Sequence, residues 1–171
     1  MPDQADFYAE VNVTVYKSVD TNGKEVFGLD VNPLAILTSP EVEDEEGKTV
    51  GVKWNLSVKP PDDFPYIAKL TVSFKQSQTP FSQVSYPPET LTAHATAPDL
   101  SNTSGQDVLS GAVLNTAVGG GANDTKLYAY AVQVSVWPPD DPGKIQTASL
   151  DPSVIVRRKK LSRDKTKWQE W

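Results

Sequence analysis

Val50, Val52, Trp54, Leu56 and Val58 share one face of an extended chain, while Gly51, Lys53, Asn55 and Ser57 share the other. That alternation predicts an antiparallel strand with one buried face. Leu70, Val72 and Phe74 alternate with Lys69, Thr71, Ser73 and Lys75, and Val11, Val13 and Val15 alternate with Glu10, Asn12, Thr14 and Tyr16. Both predict further strands of the same kind. From Leu127 to Trp137 one face carries Tyr128, Tyr130, Val132, Val134 and Val136, and the other begins with Leu127, Ala129 and Ala131. With apolar side chains on both faces early on, this run predicts a single central strand.

Turn residues separate the runs. Asn22-Gly23 is a strong hairpin signal linking Val11–Val19 to Glu25–Val31. Pro60 to Pro65 and Pro138 to Gly143 are Pro/Asp turns that follow strands. Thr90–Thr96 and Val108–Leu114 read as weaker strands around a Ser/Asn/Gly stretch, and Gly119-Gly120-Gly121 reads as a flexible connection. Helical periodicity is nearly absent. Eight or nine short strands with intervening turns predict an all-β domain, an antiparallel β-sandwich of about eight strands over residues 1–158. Its last strand, Ser153 to Arg158, leads into a tail, 159–171, in which Leu161, Trp168 and Trp171 are spaced for one short helix.

The run Tyr128 to Val136, a short turn, and then Leu150-Asp151-Pro152 through Val156 resembles the ending of bacterial inclusion-body proteins of the AidA/PixA type. The amino-terminal hairpin and Val31-Asn32-Pro33 fit that family loosely. The resemblance implies a β-sandwich and self-assembly. It brings no known chemistry, and the basic Trp-containing tail is not a feature associated with the family.

A chain of 171 residues fits one domain, able to bury roughly two thirds of the surface its unfolded form exposes. It has no cysteine, which removes disulfides, thiolate metal sites and thiol nucleophiles. The amino terminus has neither a basic n-region nor an apolar core segment, and no run reaches the ~18 apolar residues of a membrane helix. A soluble, cytoplasmic protein is therefore expected. Charge adds the larger asymmetry: Arg157, Arg158, Lys159, Lys160, Arg163, Lys165 and Lys167 oppose only Asp164 and Glu170 in the last fifteen residues. That segment is formally +5, which leaves −11 on the first 156 residues of a chain whose total is −6. An acidic body with a cationic tail reports on what a chain contacts.

Candidate chemistry is sparse. His94, the sole histidine, shares a strand face with Thr90, Thr92 and Thr96, and no nucleophile elbow accompanies it. Pro60-Pro61-Asp62-Asp63 recurs as Pro138-Pro139-Asp140-Asp141, so the four carboxylates would form a Ca²⁺ site if both loops converged. Pro and Asp are equally expected there for turn geometry alone. Glu41, Glu43, Asp44, Glu45 and Glu46 form the densest acidic run, either a solvated loop or a dock for the basic tail. Asp20 to Glu25 lacks the spacing of an EF-hand, the triglycine lacks a phosphate-loop context, and four Asn-X-Ser/Thr matches are read as coincidence.

The tail is the leading functional candidate, with Arg157, Arg158, Lys159, Lys160, Arg163, Lys165, Lys167, Trp168 and Trp171 as partner-binding residues. The acidic body argues against nucleic acid, and the few apolar residues of the tail argue against a membrane. The expectation is a noncatalytic assembly or protein-interaction module that acts as a homo-oligomer or on a protein partner and needs no cofactor. A lectin-like or Ca²⁺-dependent ligand-binding domain, using Asp62, Asp63, Asp140, Asp141 and aromatics such as Trp137, is the alternative.

Overall fold

A computed structural model describes residues 5–43, 47–74, 78–82 and 108–160, together with the backbone of 90–96. The strands are β1 (Phe7–Val19), β2 (Glu25–Asn32), β3 (Ala35–Thr38), β4 (Val50–Lys59), β5 (Ile67–Ser73), β6 (Thr90–Thr96), β7 (Val108–Leu109), β8 (Thr125–Ala129), β9 (Ala131–Trp137), β10 (Gln146–Leu150) and β11 (Ser153–Arg157). They form three sheets, ordered β2-β1-β4-β7, β10-β9-β5-β6 and β3-β11-β8. The regular structure of the described residues is all-β apart from 3-10 conformation at Gln78 and at Asn115–Ala117. No helix among these residues is long and apolar enough to cross a membrane.

The expected β1–β2 hairpin forms, with Val13 opposite Val31 and Val19 opposite Glu25. Its connection is a longer loop rather than a two-residue turn on Asn22-Gly23. Gly23 N–H bonds to Asp20 O, Asp20 N–H bonds to Lys24 O, and Gly23 alone in the loop takes a left-handed φ, +79°. The Asp20 carboxylate accepts the N–H groups of Asn22 and Lys24, both at 2.9 Å, and holds the loop closed.

Two pairings depart from the antiparallel expectation. β1 runs parallel to β4, from Phe7 beside Val50 to Tyr16 beside Lys59, and β3 runs parallel to β11. Alternation reports which face of a strand is buried and is blind to the direction of its neighbour. After β2 the chain crosses into the third sheet as β3, then returns beside β1 in the same sense. On the outward side the β1–β4 pairing matches Asn12 with Asn55 and Thr14 with Ser57, both hydrogen-bonded.

The expected central strand from Leu127 to Trp137 is in fact two strands, β8 and β9, in different sheets. Tyr130 sits at the crossing, where its N–H bonds to Pro152 O. Only one face of the run is buried: Tyr128, Tyr130, Val132, Val134 and Val136 keep the period across the break, whereas Leu127 is 61% exposed. The Val108–Leu114 run is also interrupted. Ser110 Oγ accepts the Val52 N–H at 2.8 Å, taking the place of a ladder carbonyl, and pairing to β4 resumes at Val113 N–H.

All three sheets contribute to one buried cluster, including Val11, Val13 and Val15 of β1, Leu70 and Val72 of β5, Val134 of β9, Tyr128 of β8 and Val154 of β11. Each fully buried aliphatic residue contributes roughly 1.5–3 kcal/mol relative to an exposed one. Trp54 lies at the centre with no exposed surface, ringed edge-on by Phe74, Phe81 and Tyr130. Its indole N–H donates to Tyr130 Oη at 3.1 Å. That bond satisfies the cluster's central polar group, and burial pushes the Tyr130 phenol well above its usual range.

Candidate interaction site

Parallel neighbours leave a sheet at the same end. Because Val156 of β11 pairs with Thr38 of β3, the segment starting at Ser39 begins beside the segment starting at Arg157. The root of the acidic run and the root of the basic tail are thus brought together by strand order, although they are far apart in sequence. Between them lies a cleft of about 340 Å³, bordered by Glu41, Val42, Lys48, Thr49, Asn115 and Lys160. The rest of the acidic run, Asp44, Glu45 and Glu46, lies outside the described residues.

The cleft wall is built by local hydrogen bonding. Ser39 is fully buried and its Oγ accepts the Glu41 N–H, turning the chain out of β3. Gly47, at φ +79°, turns it back. Thr49 then binds the amino-terminal segment: its carbonyl accepts the Asp6 and Phe7 N–H groups, and Asp6 Oδ2 accepts the Thr49 N–H at 2.8 Å and its hydroxyl at 3.0 Å. These bonds from Thr49, with the Lys48 charge adding to them, hold the Asp6 carboxyl below its usual 3.8. Sequence reasoning passed over Asp6 because a lone acid before a strand carries no signal of its own.

The basic residues divide into two kinds. Arg158 belongs to the scaffold: its guanidinium donates to Val118 O at 3.0 Å, to Gly119 O at 3.1 Å, and to both the carbonyl and side-chain oxygens of Asn115. Expected as a partner-binding residue, it spends these donors within its own chain. Arg157 makes a long bond to Asn123 Oδ1 at 3.4 Å and is half-buried. Lys159 and Lys160 are exposed. Arg163, Lys165, Lys167, Trp168 and Trp171, with the short helix expected there, lie outside the described residues.

The triglycine is no free connection either. Asp124 Oδ2 accepts the Gly121 N–H at 2.9 Å, and a Cβ on Gly119 would stand 2.3 Å from that oxygen. Asp124 O in turn accepts the Arg158 N–H at 2.7 Å. A side chain at Gly119 would have to displace the carboxylate that folds back on its own turn, and the turn is tied to the end of β11.

The two Pro-Pro-Asp-Asp loops do lie at one end, since Ile67 after the first pairs with Trp137 before the second. Their carboxylates do not assemble as expected: among the described residues no three acidic or histidine side chains gather as a metal site requires. Asp63 pairs with Lys17 at 2.8 Å and Asp141 faces Lys144 at 3.7 Å, while Asp62 and Asp140 join no such group. Beside Asp63, Phe27, Phe64 and Tyr66 pack edge to face. The Tyr66 hydroxyl donates to Glu25, which together with burial pushes the phenol up to about 12. His94 is opposite Lys69 in the β5–β6 ladder. No protein-family model and no curated protein matches the sequence.

Proposed function

We propose that the chain is a noncatalytic assembly module, a β-sandwich whose cationic carboxy-terminal tail docks on the acidic surface of another copy. The observation that supports it best is the parallel β3–β11 pairing, which puts the roots of the two oppositely charged segments at one end of the molecule. Each copy then offers a donor tail and an acceptor surface within one region, so contacts between copies are reciprocal and steered by charge. Glu41 of the acidic run and Lys160 of the tail both line the cleft between those roots. A sandwich reading is supported by one buried cluster drawn from all three sheets. The resemblance to inclusion-body proteins of the AidA/PixA type points to the same function, and a cytoplasmic location accords with it.

Light scattering on size-exclusion eluate tests the proposal, with the full chain compared with a 1–160 truncation that keeps Arg158. Measurements at about 50 and 500 mM salt shorten the Debye length from roughly 14 Å to roughly 4 Å. Assembly of the full chain that is lost on truncation or at high salt supports the reading. A full chain that stays monomeric at about 50 mM salt and high protein concentration refutes it.

A further inference from the structure

Of the asparagines in the chain, Asn22 alone precedes a glycine. The side-chain amide of an asparagine is open to attack by the backbone nitrogen of the next residue, and glycine, having no side chain, obstructs that attack least. Asn12 and Asn55 precede Val13 and Leu56 inside the β1–β4 ladder, and Asn32 precedes Pro33, whose nitrogen has no proton to lose. Asn22 and Gly23 are both exposed, and a Cβ built on Gly23 would meet nothing within 4 Å. No hydrogen bond engages the Asn22 side-chain amide among the described residues. Two backbone bonds act against the attack. The Gly23 nitrogen, the attacking atom, donates to Asp20 O at 3.1 Å, and Asp20 Oδ1 accepts the Asn22 N–H at 2.9 Å.

We propose that Asn22 is a site of spontaneous covalent modification, converting to aspartate and isoaspartate, and that the hydrogen bonds to Asp20 set the rate. The Gly23 nitrogen gives up its proton and attacks the Asn22 Cγ. A C–N bond forms, closing a succinimide ring, while the Cγ–Nδ2 bond breaks and the side-chain nitrogen leaves as ammonia with the proton. Water then opens the ring at either carbonyl, and nothing is oxidised or reduced. In the folded chain the first step requires the loop to release the Gly23 N–H from Asp20 O, so the reaction proceeds from a locally opened state. Both products act on the hairpin. Aspartate adds a negative charge two residues from Asp20 in a chain already at −6. Isoaspartate routes the main chain through the side-chain methylene and lengthens a loop whose closure holds Val19 opposite Glu25. The inference is independent of the assembly reading, since it concerns the β1–β2 loop alone.

The test incubates the full chain and its Asp20→Ala and Asp20→Asn variants in mildly alkaline buffer, folded and unfolded in urea, and follows residue 22 by peptide mapping and mass spectrometry. The folded parent is expected to convert about tenfold more slowly than the unfolded chain, because the loop must open first. Folded Asp20→Ala should convert several times faster than the folded parent. Asp20→Asn keeps an acceptor oxygen at the same place and should return most of the way to the parent's rate, which separates loss of the loop bonds from general loosening by substitution. An unmodified Asn22 in the folded parent, over a period in which the unfolded chain converts fully, overturns the site. Equal rates in the folded and unfolded parent overturn the loop as a brake. A folded Asp20→Ala that converts no faster than the parent, or an Asp20→Asn that matches Asp20→Ala, overturns the role given to Asp20.

Discussion

Replacing Arg158 by Lys keeps the tail's charge and removes the fork that holds the 115–119 loop. The guanidinium donates four hydrogen bonds there, three to backbone carbonyls and one to the Asn115 side chain. An ammonium on a flexible stem can replace at most one or two of them with comparable geometry. Bonds to a charged group are worth about 1.5–3 kcal/mol each when shielded. Arg158 is only half-buried, so water recovers much of that, and a net loss of about 1–3 kcal/mol is expected. For a chain of this size that corresponds to a fall of roughly 2–10 °C in Tm. Urea unfolding followed by the fluorescence of buried Trp54 measures it, with Lys160→Gln as the control, expected within about 0.5 kcal/mol of the parent. Equal midpoints for Arg158→Lys and the parent, or equal losses for both variants, would refute the division of the basic run into scaffold and surface.

The remaining predictions concern the core and the opposite end. Tyr130→Phe leaves the Trp54 indole N–H buried without an acceptor and should cost about 1–3 kcal/mol, read from the same urea curves; an unchanged midpoint sinks the claim that this bond matters. Thr38 is fully buried and its hydroxyl has no partner among the described residues, so Thr38→Val should leave stability unchanged or raise it by up to about 1 kcal/mol, and a clear loss would show a hidden role for the hydroxyl. The Tyr66 phenol, held neutral up to about 12 against its usual 10, contributes stability that is complete below pH 10 and declines as pH rises toward 12. The difference in unfolding midpoint between the parent and Tyr66→Phe should therefore narrow over that window, and a constant difference contradicts the assignment. Because Asp62, Asp63, Asp140 and Asp141 do not gather, Tm should be the same in Ca²⁺ and in EDTA.

Much of the strand content is legible because one-sided burial writes itself as alternation. Val50 to Val58 and Leu70 to Phe74 fall on the predicted faces, and the β1–β2 hairpin forms where Asn22-Gly23 signals it, with a longer loop that sets its register. Direction and sheet membership leave no such trace. β1 and β4 alternate identically whether parallel or antiparallel, so the parallel pairing is invisible in the sequence. The Tyr128 to Val136 run keeps its period straight through the sheet change at Tyr130, and periodicity gives no reason to divide it. Leu127 misleads in the opposite sense, since an apolar residue on an edge strand reads as buried when it is open to solvent.

The site shows the same limit from the side of electrostatics. Charge along the sequence separates an acidic body from a cationic tail, but a count assigns every basic residue the same role. Arg158 and Lys160 are two positions apart and indistinguishable by composition, yet one is held by loop carbonyls and the other lines a cleft. What separates them is where β11 ends. The strand order β3-β11-β8 places the strand that leads into Ser39–Glu43 on one side of that end and the strand that follows the 115–124 loop on the other. The first side chain past the strand is thereby drawn into the loop and the following ones are left to the cleft and beyond. A reversal of charge at Lys159 and Lys160 should therefore weaken low-salt assembly while leaving the fold intact, because both side chains are exposed, unlike the loop-held Arg158. Light scattering at about 50 mM salt on Lys159→Glu/Lys160→Glu, set beside its urea midpoint, checks both halves. Assembly unchanged in a folded variant would place the electrostatic contact wholly within residues 161–171.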